Sequence, residues 1–257
     1  MEGESKVPKR AYEYIDATAD VQKEVSEIVV TAGVSELKVL FSDGKLSMPV
    51  VLTVGTSTGL HRGVHMSRLV RAAARRQGAS IEEWARAICG EVNKTQPGSE
   101  VSCRFEVAFG DQFGEVEVMA KERGRLTYKF KVRGMTACPC SKKMIGVGHM
   151  QRAEITLVLK SAKVLDSRDV MERMMGCFSA PPKEEMKRLE EAKRILAAQA
   201  NPKFAEDLVR DCVRKFPGAT SVIARCYESI HAHDAMAWWP AKPGSALPPL
   251  ASDHHSA

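Results

Sequence analysis

The chain has 257 residues and a net charge of +6, with 38 Lys and Arg against 32 Asp and Glu, and aromatic residues make up only 6% of it. That length can bury a proper core in one large domain or two small ones. No run approaches 18 apolar residues, which excludes a membrane-spanning helix, and basic residues interleaved with acids, without an aromatic-rich basic block, argue against a nucleic-acid partner.

Seven cysteines, an odd number and widely spread, fit a reducing cytoplasm better than a disulfide framework. The charged stretch Met1 to Arg10 has no apolar segment of the kind a signal peptide needs, so none is expected. Residues 1 to 30 read as an N-terminal arm. Val34 to Phe41 and Leu46 to Val54 alternate around Ser42-Asp43-Gly44-Lys45, a strong hairpin signal. Leu69 to Arg76 is predicted helical. A second helix opens at Ser80, with Glu83 three residues on as a capping box, and runs to about Val92. Strands are predicted at about Val101 to Phe109, Glu115 to Lys121 and Arg125 to Val132.

After the stretch 134 to 154, Ala153 to Lys160 reads as a strand, and Asp166 to Cys177 and Lys183 to Ala198 read as helices. Asn201 then stands as N-cap, with Pro202 at the first helical position, of a helix to Phe216. Thr220 to Tyr227 is a strand, and beyond Trp238-Trp239-Pro240 the composition turns to that of a loose tail, in which His254-His255 would be solvated. The repeated order of strands and helices predicts an α+β chain of two similarly laid out modules, residues 31–122 and 123–237, followed by a tail at 238–257.

Chemistry concentrates in 134 to 154. Cys138 and Cys140 stand two apart around Pro139, and an extended Cys-Pro-Cys would turn both thiols to one side. With His149 they form a thiolate and imidazole set suited to zinc or ferrous iron, short of a full set of ligands. Three other stretches carry functional groups. His65-Met66-Ser67-Arg68 stands at a helix start, where backbone N–H groups favour phosphate. Lys187-Arg188-Leu189-Glu190-Glu191 and Asn201 to Asp207 bear charges of the kind that long helices ordinarily turn to water. Glu228-Ser229-Ile230-His231-Ala232-His233 follows an apolar strand and can supply a metal ligand or a general acid/base.

In this order, Gly63-x-His65-Met66-Ser67-Arg68, Cys138-Pro139-Cys140-Ser141-Lys142, His149-Met150-Gln151-Arg152, Lys187-Arg188 with Glu190-Glu191, Asn201-Pro202-Lys203-Phe204-x-Glu206-Asp207 and Glu228-Ser229-Ile230-His231-x-His233 resemble the type IB GTP cyclohydrolases. These are tunnelling-fold enzymes that include the archaeal methanopterin-pathway cyclohydrolase. The similarity spans roughly residues 30 to 237. Thr-Ala-Cys-Pro-Cys with His-Met-Gln-Arg looks closer to the archaeal branch than to the bacterial one. The chain departs from the usual pattern in having Glu190 where an aspartate is common, a shorter loop between Cys140 and His149, and Ala232 where the bacterial branch often has asparagine.

The resemblance implies two tandem ββααββ modules and a homotetramer with sites completed between subunits. It further implies one divalent metal (zinc, ferrous iron or manganese) on Cys138, His149 and an acid that aligns with Glu191. Glu206 would be the purine-anchoring acid, and Glu228 with His231 the catalytic pair, His231 moving protons and Glu228 orienting it. GTP is the implied substrate, opened at its imidazole ring with loss of formate to give a dihydroneopterin phosphate. Arg68, Lys142 and Arg152, with His65 and Gln151, are assigned to binding it. Two alternatives stand beside this: a metal-free enzyme of the same fold with a cysteine nucleophile acting on a pterin or deazaguanine, and a non-catalytic zinc-stabilised binding module.

Overall fold

A computed structural model describes residues 20–45, 47–74, 78–121 and 123–240. Residues 1–19 of the expected arm, Arg76, and the tail from 241 with its two histidines lie outside the described residues. One antiparallel sheet of eight strands runs in strict sequence order from β1 (Thr31–Ser42) through β2 (Ser47–Ser57), β3 (Glu100–Phe109), β4 (Gln112–Lys121), β5 (Leu126–Ala137), β6 (Met150–Ser161) and β7 (Ala219–Tyr227) to β8 (Ala235–Trp239). Helices α1 (Met66–Ala74) and α2 (Ile81–Asn93) join β2 to β3. Helix α3 (Pro139–Ile145) interrupts the β5–β6 connection, and α4 (Ser167–Met175), α5 (Arg188–Ala200) and α6 (Ala205–Lys215) join β6 to β7. This is the tandem ββααββ layout, with α3 and one extra helix added to the second unit. The expected boundary at 122/123 falls in the turn between β4 and β5, which pair directly (Glu115↔Lys131 to Met119↔Thr127) and so fuse the units into one sheet.

The alternation of each strand decides which face is covered. Leu52, Val101, Val118, Tyr128, Phe130, Ile155, Leu157 and Val222 are buried against Leu69, Trp84, Ile88, Met171, Met174 and Leu208 of the helices. Each such side chain contributes about 1.5–3 kcal/mol by leaving water. The intervening residues form a more polar face with cross-strand pairs such as Lys129–Glu117 at 3.4 Å, free of helices except at the β5 end, where Met135 and Ala137 pack with Ala198 of α5.

Local signals account for most boundaries. In the β1–β2 turn, the Lys45 N–H donates to Asp43 Oδ1 at 2.8 Å. Ser80 caps α2 by accepting from the Glu83 N–H at 3.2 Å, while Glu83 reaches back to Ala79, one residue earlier than a regular capping box. Asp166 is the N-cap of α4, not its first residue, and accepts from the N–H groups of Arg168 and Asp169.

Four expectations are corrected. Cys-Pro-Cys is not extended: Cys138 is the N-cap of α3 (φ −65°, ψ 120°), Pro139 takes the first helical position, and Cys140 lies in the helix. Helix α5 begins at Arg188, where the Glu190 carboxylate accepts from the Lys187 N–H at 3.2 Å, and not at Lys183. Asn201 ends α5 and does not open α6: its side chain donates to Phe178 O, and the Lys203 N–H is drawn to Ala137 O at the end of β5, which keeps 202–204 out of the helix. Strand β8, which the sequence hides in the approach to the tail, pairs with β7 from Val222↔Trp239 to Cys226↔Ala235.

Candidate active site

Strand parity builds the site. At the end of the sheet where β5 and β7 finish and β6 starts, Thr136 pairs with Gln151, and Cys138 with His149 follows one row beyond, its N–H donating to His149 O at 2.9 Å. On the other side of β6, Ala153 opposes Cys226, which places Glu228 beside Gln151. Cys138, His149, Gln151 and Glu228 therefore share the helix-covered face, just beyond the core. Arg152 has the opposite parity, pairs with Met135 and Tyr227, and belongs to the more polar face, away from these four.

The half-buried His149 ring is held from two sides. Its Nδ1 lies 3.3 Å from Ser229 Oγ, and its Nε2 lies 3.9 Å from Glu228 Oε2. Gln151 Nε2 donates to Glu228 Oε1 at 3.3 Å, while Gln151 Oε1 is buried with no hydrogen-bond partner among the described residues, an acceptor open to a ligand. Glu228 thus addresses Gln151 and His149. His231, exposed, meets His149 edge-on at 6.3 Å between ring centroids and stacks on His233 at 5.2 Å. The turn after β7 puts three imidazoles within reach of one another.

The approach to His149 is pinned by buried groups. Gln199 of α5 grips Gly148 at both ends, accepting from its N–H at 2.8 Å and donating to its carbonyl at 2.7 Å. Gly148 is required there, since a Cβ would stand 2.5 Å from Cys138 O. Ser141 Oγ accepts from the His149 N–H at 3.1 Å. Lys142, half-buried on α3, spends its N–H on Cys138 O.

Glu206 is exposed in the first turn of α6. It lies close enough to Cys226 to affect it: burial chiefly pushes that thiol up to about 11, opposed by the Thr136 hydroxyl and reinforced by the charges of Glu228, Glu206 and Asp234. Lys203 forms an ion pair with Asp211, which anchors the segment leading into α6.

For a metal, Cys138 and His149 fit as a directly opposed thiol and imidazole. Glu191 does not join them within the chain. It is exposed on α5, eight residues or about 12 Å of helix before Gln199. Among the described residues, no three His, Cys, Asp or Glu side chains gather to hold an ion. The capping duty of Glu190 leaves Glu191 as the uncommitted acid of that pair.

His65 and Arg68 stand apart. They open α1 beyond the end of β2, and the register Gly55↔Glu100, Met119↔Thr127 and Leu126↔Ser161 places that end opposite the one that carries His149. There they border a cavity of about 300 Å³ with Gln22 and Gln96. The His65 N–H donates to Gln96 Oε1 at 2.6 Å, and Gln96 Nε2 is buried without a partner among the described residues.

Sequence reasoning missed Ser229, Gln199 and Gln96. Ser229 lay inside a quoted motif and could have been found by its adjacency to Glu228. Gln199 and Gln96 act on backbone far away in sequence, and nothing local marks them.

A tandem ββααββ sheet with its polar side chains gathered at one strand end defines a tunnelling-fold protein of the α+β class. Residues 19–237 match the family model described as type I GTP cyclohydrolase FolE2, and the chain belongs to that family. It is 31% identical over 144 residues to GTP cyclohydrolase FolE2 of Geotalea uraniireducens, covering 54% of this chain and 49% of that one. It is 25% identical over 205 residues to GTP cyclohydrolase MptA of Picrophilus torridus, covering 68% and 74%. The chain spans about half the length of the curated relatives it matches first. Among solved structures it is similar to uricase from Arthrobacter globiformis, over 89% of this chain and 99% of that one at 10% identity, with a TM-score of 0.46.

Proposed function

We propose that the chain is a metal-dependent GTP cyclohydrolase of the type IB kind. It would open the guanine imidazole ring of GTP by hydrolysis and release formate, leaving a dihydroneopterin triphosphate or its 2′,3′-cyclic phosphate for pterin biosynthesis. The observation that carries this is the convergence of Cys138, His149, Gln151 and Glu228 on one face at one strand end, in a chain of this family. Cys138 and His149 would hold the metal, with Glu191, which does not reach them within one chain, as third ligand from a second copy. When bound, a zinc, ferrous or manganous ion supplies the Lewis acidity that makes water nucleophilic near neutral pH.

Water adds to C8 of guanine and the C8–N9 bond breaks. A second water adds to the resulting formyl carbon, the C8–N7 bond breaks and formate leaves. Rearrangement of the ribose and ring closure with loss of water then give the pterin. His231, at the mouth of the site beside His149, moves the protons these steps require. Glu206 accepts the paired N–H groups of the guanine edge, which adenine does not offer in that arrangement. Gln151, with its free buried acceptor, fixes the ring against Glu228. Arg68, His65, Lys142 and Arg152 take the triphosphate. Arg68 and His65 lie at the wrong strand end, and Arg152 on the wrong face, to do so within one chain, and β1 and β8 leave two open sheet edges. Both features support a homotetramer whose sites are completed by a second copy. Seven free cysteines suit a cytoplasmic setting. Among the described residues, no helix is long and apolar enough to cross a membrane.

The test is incubation with GTP and each of the three metals, followed by assay of formate and pterin. Equal yields of the two are expected, and Cys138→Ala should lose both bound metal and formate release. Unchanged metal content and rate in that variant would refute the assignment. Full activity after chelation would favour the cysteine-nucleophile alternative, and unfolding on chelation a structural zinc module.

A further inference from the structure

A further cavity lies away from the proposed catalytic centre. It occupies about 660 Å³ on the more polar face, at the strand end remote from His149. Its floor is a row of residues in register across five strands: Thr53, Ser102, Met119, Thr127 and Lys160. Towards the sheet edge the floor is hollowed by Gly33 and Gly55. A Cβ on Gly33 would lie 2.1 Å from Val54 O, so the hollow cannot be filled without moving the backbone.

Among the described residues, four cations, Lys121, Arg123, Arg125 and Lys160, and one acid, Glu100, rim this hollow. Glu100 meets Lys121 at 3.5 Å, both exposed, a pairing of little strength. Arg123, Arg125 and Lys160 have no ion-pair or hydrogen-bond partner among the described residues. Elsewhere on the same face Lys129 is matched by Glu117, Lys131 and Arg133 by Glu154, and Arg225 by Asp234. Positive charge without a matching acid therefore gathers at this hollow among the described residues. It faces hydroxyl groups and the apolar Met119, in a volume typical of small-molecule sites. Guanidinium and ammonium groups around a hydroxyl floor bind phosphate oxygens, and the apolar wall has room for a heterocycle.

We propose that this cavity is a second ligand site, for the oligophosphate group of a nucleotide, separate from the proposed catalytic centre. From Thr127 to Cys138, β5 and its extension run eleven residues, about 36 Å, much longer than one nucleotide. The ATP site itself does not depend on the cyclohydrolase reading; its separation from the catalytic centre, read through the KM for GTP, rests on that reading.

Its test is calorimetric titration of the full chain with ATP and, separately, with inorganic tripolyphosphate, at low and high salt. ATP is chosen because the proposed guanine reader at Glu206 discriminates against it. Wild-type protein should bind ATP, more weakly as salt rises. Arg125→Glu combined with Lys160→Glu should weaken ATP binding tenfold or more and leave the KM for GTP unchanged. Arg168→Glu, an exposed charge reversal on α4, should change neither. Tripolyphosphate binding as tightly as ATP would assign the site to the phosphate chain alone, against a nucleotide site. Absent ATP binding in the wild type, unaltered binding in the double variant, or a parallel rise in the KM for GTP would each overturn a separate site. All three substituted residues are exposed, and unchanged thermal unfolding checks that the variants fold.

Discussion

The two halves of the sheet share a plan and differ in their connections at one end. In the first module, β1 passes to β2 through 43–46, and β3 passes to β4 through Gly110-Asp111 alone. In the second, the matching connections lengthen to 138–149, with α3 inside, and to 228–234. Those two longer connections carry Cys138, His149, Glu228, His231 and His233. The scaffold is thus repeated and the chemistry is not. Tight turns suffice to register two strands, and only the extended pair can fold inward, stack imidazoles and present a thiol. The sheet supplies the parity that aims these groups, and the connections supply the groups themselves.

If that division holds, changes in the second-module connections should destroy activity with little effect on the fold. The largest effect is expected at His231. His231→Ala should lower kcat by about 10²–10⁴-fold, the usual range for a general acid/base, while GTP still binds. Glu206 lies on the scaffold side of the division, at the start of α6, and Glu206→Gln should act differently. On the proposed reading it exchanges an acceptor for a donor facing guanine and should raise KM by roughly tenfold to a hundredfold, with kcat largely kept. Steady-state kinetics on both variants separate the roles. Normal kcat in His231→Ala together with normal KM in Glu206→Gln would remove the assignment.

Much of this was legible in the sequence, because periodicity and turn chemistry are local. The seven strands read from alternation all exist, but the register that aligns Cys138 with His149 and Gln151 with Glu228 comes from pairing beyond their expected ends. What failed was competition between local signals or pairing from a distance. Cys-Pro-Cys looks extended by alternation, yet Pro139 in a first-turn position and Gly146 in the left-handed region (φ 82°) bracket a short helix. Asn201-Pro202 carries a helix-start signal, but the carbonyl of Ala137 claims the Lys203 N–H first. Strand β8 forms because β7 offers an open edge, which no window of a few residues reports. Arg152 sits within a motif, yet its parity, opposite to that of Gln151, sends it to the other face.

The clamp on Gly148 tests whether a scaffold helix steers the long connection. Gln199→Leu has nearly the right size but leaves the buried N–H and C=O of Gly148 without partners, at roughly 1–3 kcal/mol. The expected result is a lower unfolding midpoint in denaturant and a reduced kcat, with Gln199→Glu, which keeps the acceptor, falling between. Such a loss of stability with kcat unchanged would make Gln199 a structural residue only.

The smallest effect is expected at the ion pair that ties Lys203, before α6, to Asp211 within it. Burial tends to raise the Asp211 pKa, but hydrogen bonding and charge from Lys203 and Arg214 outweigh it and hold the carboxyl below its ordinary value of 3.8. A depressed carboxylate stabilises the fold above its unfolded pKa, and that contribution fades as pH falls through the lower folded value. Asp211→Asn should therefore be less stable than wild type at pH 7, by under about 1 kcal/mol because the pair is partly solvated. The gap should stay constant down to about pH 4 and close below it, as wild-type Asp211 itself takes up a proton. Urea unfolding of both proteins from pH 7 to pH 3 checks this. A gap that persists unchanged at pH 3 would mean that the aspartate acts through shape and packing, and that the ion pair does not set the entry to α6.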